Sequence, residues 1–150
     1  MRFALLAALI CLAQPALAAG GWTFVNDPDE FKFGHQNTGK DGFDTIWFRC
    51  DNATRQIVVS LAAGNKRPAS GRVTVLLSDG SEKVTVEGPV SDDEFDGVYW
   101  LELNLARDHA LFGLMKGGRS LLYSAHGWRR PHLSNRGQKR SAERFLAACR

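Results

Sequence analysis

The chain has 150 residues, of which 44% are hydrophobic, and a formal net charge of +3. The roughly 130 residues that follow the N-terminal stretch suffice for one domain with a packed core and are too few for two domains. Beyond the N-terminus no apolar stretch approaches the roughly 20 residues that a transmembrane helix needs, so we predict no transmembrane segment.

The N-terminal stretch has the organisation of a secretory signal peptide. A positive start precedes an apolar run over residues 3–13, and Ala16-Leu17-Ala18 has the small-x-small form of a signal peptidase site. We predict a signal peptide over residues 1–18, with cleavage after Ala18 or, as the next candidate, after Ala19. One exported domain then covers residues 19–150, in the periplasm or secreted. The alternative is that this stretch forms an apolar N-terminal strand.

After this leader, the first predicted elements are short edge strands around Trp22–Phe24 and Phe31–Phe33, followed by a loop over His35–Gly42. The segment from Asp44 to Leu61 predicts two adjoining strands, because apolar and polar residues alternate with a period of two. The residues predicted to face the core are Ile46, Phe48, Cys50, Ile57, Val59 and Leu61.

The cysteines predict a disulfide. Cys11 leaves with the signal peptide, and an even pair in an exported chain favours a bridge between Cys50 and Cys149 over two free thiols. Cys50 ends the core face of a central strand, whereas Cys149 falls on the apolar stripe of a C-terminal helix. The bridge would therefore clamp this helix against the sheet.

The rest of the chain predicts more strands and two short helices. Asp79-Gly80 separates two alternating runs and therefore indicates a hairpin. An acidic turn over residues 91–97 precedes a strand predicted at 98–103. Further strands are predicted at 120–124 and 132–135. Asp108 is the predicted N-cap of the first helix. We therefore predict an α+β fold, a mostly antiparallel, sandwich-like β domain with two short helices.

The order of these features resembles small exported Gram-negative envelope proteins, in particular accessory proteins of type VI secretion of the VasI type. The matching segments are IWFRC at 46–50, LFGLMKGGRSLLYS at 111–124 and SAERFLAAC at 141–149, whereas LSNRG at 133–137 fills the place of a glycine-bearing strand imperfectly. The resemblance implies this fold and compartment and brings no catalytic residues.

Catalytic and metal motifs are weak. His126 and His132 flank one short segment, but no third ligand lies near them, so we expect no metal and no cofactor. The acids over residues 92–96 could support hydrolysis through paired carboxylates, but they are more typical of a solvated loop. We expect no enzymatic activity, with a cell-wall-acting enzyme as an open alternative.

Charge is distributed unevenly along the chain. Residues 74–103 carry eight acids and one lysine, a balance of −7, and residues 105–150 carry ten Lys or Arg and two acids, a balance of +8. Outside the cytoplasm such a basic segment favours an acidic protein surface or an anionic envelope component over nucleic acid. The alternative is that the two segments face each other within the fold or give a surface of mixed charge.

The basic segment supplies the predicted binding site, with Arg129 and Arg130 at a hairpin tip. The candidate residues are Trp128, Arg129, Arg130, His132, Arg136, Lys139 and Arg140. Arg binds carboxylate and phosphate through its planar fork, and an adjacent Trp adds flat apolar area. The function we predict is a non-enzymatic periplasmic binding or accessory protein that contacts an envelope or secretion component. An inhibitor or immunity protein against a cell-wall hydrolase or toxin is the alternative.

Overall fold

A computed structural model describes residues 20–36, 45–91, 97–126 and 128–150 of the chain, and it leaves the side chains of Arg130 and Pro131 undescribed. The predicted signal peptide, most of the predicted loop at 35–42 and the acids of the turn at 92–96 lie outside the described residues. Among the described residues, no helix combines the length and the apolar character that a membrane crossing requires.

The described residues form nine strands and two helices. In chain order these are β1 (Gly21–Asn26), β2 (Glu30–Gln36), β3 (Ile46–Asp51), β4 (Ile57–Gly64), β5 (Arg72–Ser78), β6 (Lys83–Pro89), β7 (Tyr99–Leu105), α1 (Ala110–Gly117), β8 (Leu121–Ala125), β9 (Trp128–Leu133) and α2 (Gln138–Ala148).

The strands form two antiparallel sheets. Sheet A has the order β1-β2-β3-β4-β7, and sheet B has the order β6-β5-β8-β9. Their inward residues share one hydrophobic core. Backbone contacts also link sheet A to the segments that follow β6 and β9, where Val90 bridges to Leu101 and the Trp22 amide donates to the Arg136 carbonyl at 2.8 Å. The predicted mostly antiparallel α+β architecture is confirmed.

The central part of sheet A follows the predicted alternation. Ile46, Phe48 and Cys50 of β3 are fully buried, while Trp47 and Arg49 are half-buried on the other face. Strand β3 is the middle strand of its sheet, as predicted. The prediction of an edge strand around Phe31–Phe33 is wrong, because β2 pairs with both β1 and β3.

Two boundaries near the C-terminus differ from the prediction. The N-cap of α1 is His109 rather than Asp108, since the His109 Nδ1 accepts a hydrogen bond from the Leu111 amide at 3.2 Å. The last strand begins at Trp128 rather than His132. Because Ala125 pairs with Trp128, Arg129 lies within a strand and not at a hairpin tip.

Helix α2 packs on sheet A through Phe145. This fully buried ring lies 5.9 Å from the Phe33 ring and 6.2 Å from the Phe48 ring, measured between centroids, and 6.4 Å from the Phe112 ring of α1. The predicted disulfide between Cys50 and Cys149 is present, with the two Cα atoms 5.9 Å apart. The C-terminal helix is thus fixed to the central strand both covalently and by aromatic packing.

One buried hydrogen bond joins the two sheets directly. The Tyr123 hydroxyl in β8 donates to the Ala62 carbonyl in β4 at 2.6 Å. The ladder between β4 and β7 shifts register between Ala62 and Gly64, and such a bulge interrupts the regular pairing of backbone groups. Tyr123 therefore satisfies a carbonyl at an irregular position of the neighbouring sheet.

Candidate functional site

The outer face of sheet B carries a groove of about 490 Å³, which we call the sheet B groove. Alternation along the strands sends Val75 and Leu77 of β5 into the core and leaves their neighbours on the outer face. The groove is lined by Leu76, Ser78, Lys83, Leu122, Tyr123, Ser124 and Arg129. Its residues come from all four strands of the sheet.

Two leucines form the floor of this groove. Leu76 pairs with Ser124 and Ser78 pairs with Leu122, so the two leucines lie on one diagonal of the β5–β8 ladder. Diagonal neighbours in an antiparallel pair are about 7–8 Å apart, within reach of long side chains. Leu76 is 37% exposed and Leu122 is 46% exposed. Among the described residues only Val25 joins them as an exposed large hydrophobic side chain.

Two cations flank the floor on opposite sides. Lys83 on β6 pairs with Ser78, and Arg129 on β9 pairs with Ser124, which puts three strand spacings between them. At about 4.8 Å per spacing, the two strands lie roughly 14 Å apart. Neither cation forms an ion pair with any described residue. Within the described part of the chain, both charges are therefore left to face the groove.

Two other cations near sheet B, Arg72 and Arg119, are paired with carboxylates. Arg72 lies 3.3 Å from Glu87, and Arg119 lies 3.5 Å from Asp79. The second pair joins the acidic and the basic segments of the sequence, so these segments pair internally at this point. Lys83 and Arg129 differ from these two cations in having no ion-pair partner among the described residues.

The Asp79 carboxylate is held by the β5–β6 turn and by Arg119. One oxygen accepts hydrogen bonds from the amides of Glu82 at 2.7 Å and Ser81 at 2.9 Å, and the other faces Arg119. The Glu82 and Ser81 hydrogen bonds, with a smaller contribution from Arg119, lower the pKa of Asp79 below its ordinary value. This carboxylate therefore serves the β5–β6 turn.

Trp128, a predicted binding residue, packs into the fold. Its ring meets the Tyr123 ring edge to face at a centroid distance of 5.9 Å. Trp128 also lies against Gly64, since a Cβ atom added to that glycine would be 3.4 Å from the Trp128 Cβ. Trp128 is half-buried. Its ring therefore anchors the start of β9 against the core.

The other predicted residues separate into two groups. Arg129 borders the sheet B groove, and His132 is exposed at a bulge of β9 with φ of 66°. Arg136, Lys139 and Arg140 are exposed at the start of α2, beyond the far end of β9. Six residues of strand span about 20 Å, so the structure does not gather the predicted set into one site. The Arg130 side chain lies outside the described residues.

Sequence reasoning missed Leu76, Leu122 and Lys83. A signal for the leucines was present, because Leu76-Leu77 and Leu121-Leu122 both break the alternation of their strands. In a strand with period two, one leucine of each pair must face outward. Lys83 carries no comparable signal, since its place beside the groove depends on which strands become neighbours.

A second pocket, of about 350 Å³, lies between the helices and is lined by Arg107, Lys116, Glu143, Leu146, Ala147 and Arg150. Its Arg107 guanidinium donates to the carbonyls of Leu146 and Cys149, so this cation completes the end of α2. Within the described ranges no three His, Cys, Asp or Glu residues cluster as metal ligands would.

Comparisons of the chain with protein-family models, with curated proteins and with solved structures give no match.

Proposed function

We propose that this protein is a non-enzymatic, exported binding or accessory protein that contacts an anionic envelope or secretion component through the sheet B groove. The observation that carries the proposal is the combination of two exposed leucines with two cations that have no partner among the described residues. Isolated exposed leucines are ordinary on protein surfaces, but two adjacent ones flanked by cations offer a ligand an apolar contact together with positive charge.

The compartment is part of this proposal. The signal-like N-terminus, the disulfide and the resemblance to VasI-type accessory proteins support export to the periplasm. The intact mass of protein from a periplasmic fraction checks it, and a chain that retains residues 1–18 would contradict it.

The groove is tested with a double variant, Lys83→Ala with Arg129→Ala, in a pull-down from envelope extract. Loss of both cations removes the electrostatic attraction to an anionic partner, so we expect roughly tenfold weaker capture at low salt and a smaller loss at high salt. Both side chains are exposed, so the free energy of unfolding should change by less than about 0.5 kcal/mol.

The matched control is Lys139→Ala with Arg140→Ala. It removes the same two charges from the exposed start of α2, which belongs to the site predicted from sequence alone. We expect the control to capture partners as the parent does. Equal capture by all three proteins, or a loss confined to the α2 variant, would refute the assignment to the groove.

A further inference from the structure

The sheet B groove has the dimensions of an extended peptide that crosses the strands. The strands that carry Lys83 and Arg129 lie roughly 14 Å apart, with the leucine floor between them. In an extended peptide, residues i, i+2 and i+4 share one face, and residues i and i+4 lie about 13 Å apart. Acids at i and i+4 would therefore reach the two cations while an apolar residue at i+2 meets the floor.

We infer that the groove binds a protein partner through an extended segment with the pattern acid-x-apolar-x-acid. The inference rests on the proposed function and names the partner class for the same groove. Charge complementarity selects the two acids, since Lys83 and Arg129 have no ion-pair partner among the described residues. The floor of Leu76 and Leu122 selects the apolar residue between them.

The floor is too small for a lipid chain. It consists of two leucine side chains that stay 37% and 46% exposed on an open sheet face, so it can cover one apolar side chain. A long acyl chain laid on this floor would leave most of its methylenes in water, which disfavours binding because the gain scales with the apolar area removed from water. The observations therefore favour a peptide over an anionic lipid.

The groove also differs from an exposed sheet edge. Strands β5 and β8 pair on both sides, so their backbone groups are used within the sheet and leave recognition to side chains. Sheet B has two edge strands, β6 and β9. In β9, Pro131 lacks an amide proton and the ladder bulges opposite Leu122. Both features disfavour addition of a peptide strand at that edge.

The test measures fluorescence anisotropy with two labelled peptides of equal composition. One contains Asp-Ser-Leu-Ser-Asp, and the other contains Asp-Leu-Ser-Ser-Asp, in which the leucine points away from the acids. We expect the alternating peptide to bind about fivefold more tightly, since only its leucine can reach the floor. A Leu122→Ser variant should abolish this preference, and the Lys83→Ala, Arg129→Ala variant should weaken both peptides about tenfold.

Vesicles of phosphatidylglycerol provide the second arm. Equal affinity for the two peptides would refute the acid-x-apolar-x-acid pattern. The protein could instead bind the vesicles and neither peptide, with the same dependence on Lys83 and Arg129. That result would refute a peptide as the occupant of the groove, while the proposed function would stand. If capture from envelope extract is also insensitive to the groove variants, the proposed function itself fails.

Discussion

Replacing Tyr123 with Phe removes one oxygen atom from the interior and tests the link between the two sheets. The side chain is 2% exposed, and its hydroxyl donates to the Ala62 carbonyl at 2.6 Å. Phe fills nearly the same volume, so the change leaves no large cavity. It does leave the buried Ala62 carbonyl without its hydrogen-bond donor. Such a loss costs about 1–3 kcal/mol. Urea unfolding at pH 7 should therefore show a lower midpoint with an unchanged slope.

The same variant has a pH signature. Burial raises the pKa of Tyr123 well above its ordinary value of 10.0, so the folded protein keeps the phenol neutral. The unfolded chain ionises it near pH 10, so the stabilisation from Tyr123 is complete below that pH and is lost as the pH rises above it. This part of the stabilisation falls further as the pH is raised toward 11, and Phe has no such ionisation. The stability difference between parent and variant should therefore narrow as the pH is raised above 10.

The control is Tyr99→Phe, since Tyr99 is the other tyrosine of the chain and is half-buried in β7. Its replacement should change the free energy of unfolding by less than about 0.5 kcal/mol at pH 7. A Tyr123→Phe protein as stable as its parent at pH 7 would refute the buried link. A stability difference that stays constant from pH 8 to pH 11 would refute the assigned ionisation.

Two further predictions concern how α2 is held. Replacing Cys50 and Cys149 with Ala should cost roughly 3–5 kcal/mol, because the bridge closes a sequence separation of 99 residues and the chain-entropy estimate for such a loop is about 4.7 kcal/mol. Urea unfolding measures this loss in the free energy of unfolding. Peptide mapping without reductant should show the linked cysteines in the parent, and two freely alkylating thiols would exclude the disulfide. Phe145→Ala should cost about 3–5 kcal/mol because the ring is fully buried among aromatic side chains, and Leu146→Ala, at a half-buried position, should cost less. Equal losses at the two positions would contradict the packing of α2.

The sequence by itself determined the elements whose signal is local. The alternation of Ile46, Phe48 and Cys50 predicted the core face of β3, because in a strand the side-chain direction follows from position alone. Helix α2 was predictable from the spacing of Ala142 and Phe145 for the same kind of reason. Together these elements also placed the two cysteines of the disulfide on facing surfaces.

Local signals were insufficient where two neighbouring residues could serve the same role. Asp108 and His109 are both polar and precede the same apolar run, and the chain path into α1 selects His109 as the N-cap. Likewise the pairing of β9 with β8 draws Trp128 and Arg129 into the sheet, although turn-like residues surround them in sequence. In both cases the backbone direction set by tertiary packing decides which residue is used.

The candidate site depended on the tertiary structure most of all. Lys83, Leu76, Leu122 and Arg129 come from four strands, and only the order β6-β5-β8-β9 makes them neighbours. The doubled leucines at 76–77 and 121–122 indicated that apolar side chains must face outward, but they could not indicate that the two would meet. Periodicity along a strand determines the face on which a residue lies, whereas the pairing of strands distant in sequence determines which residues share that face.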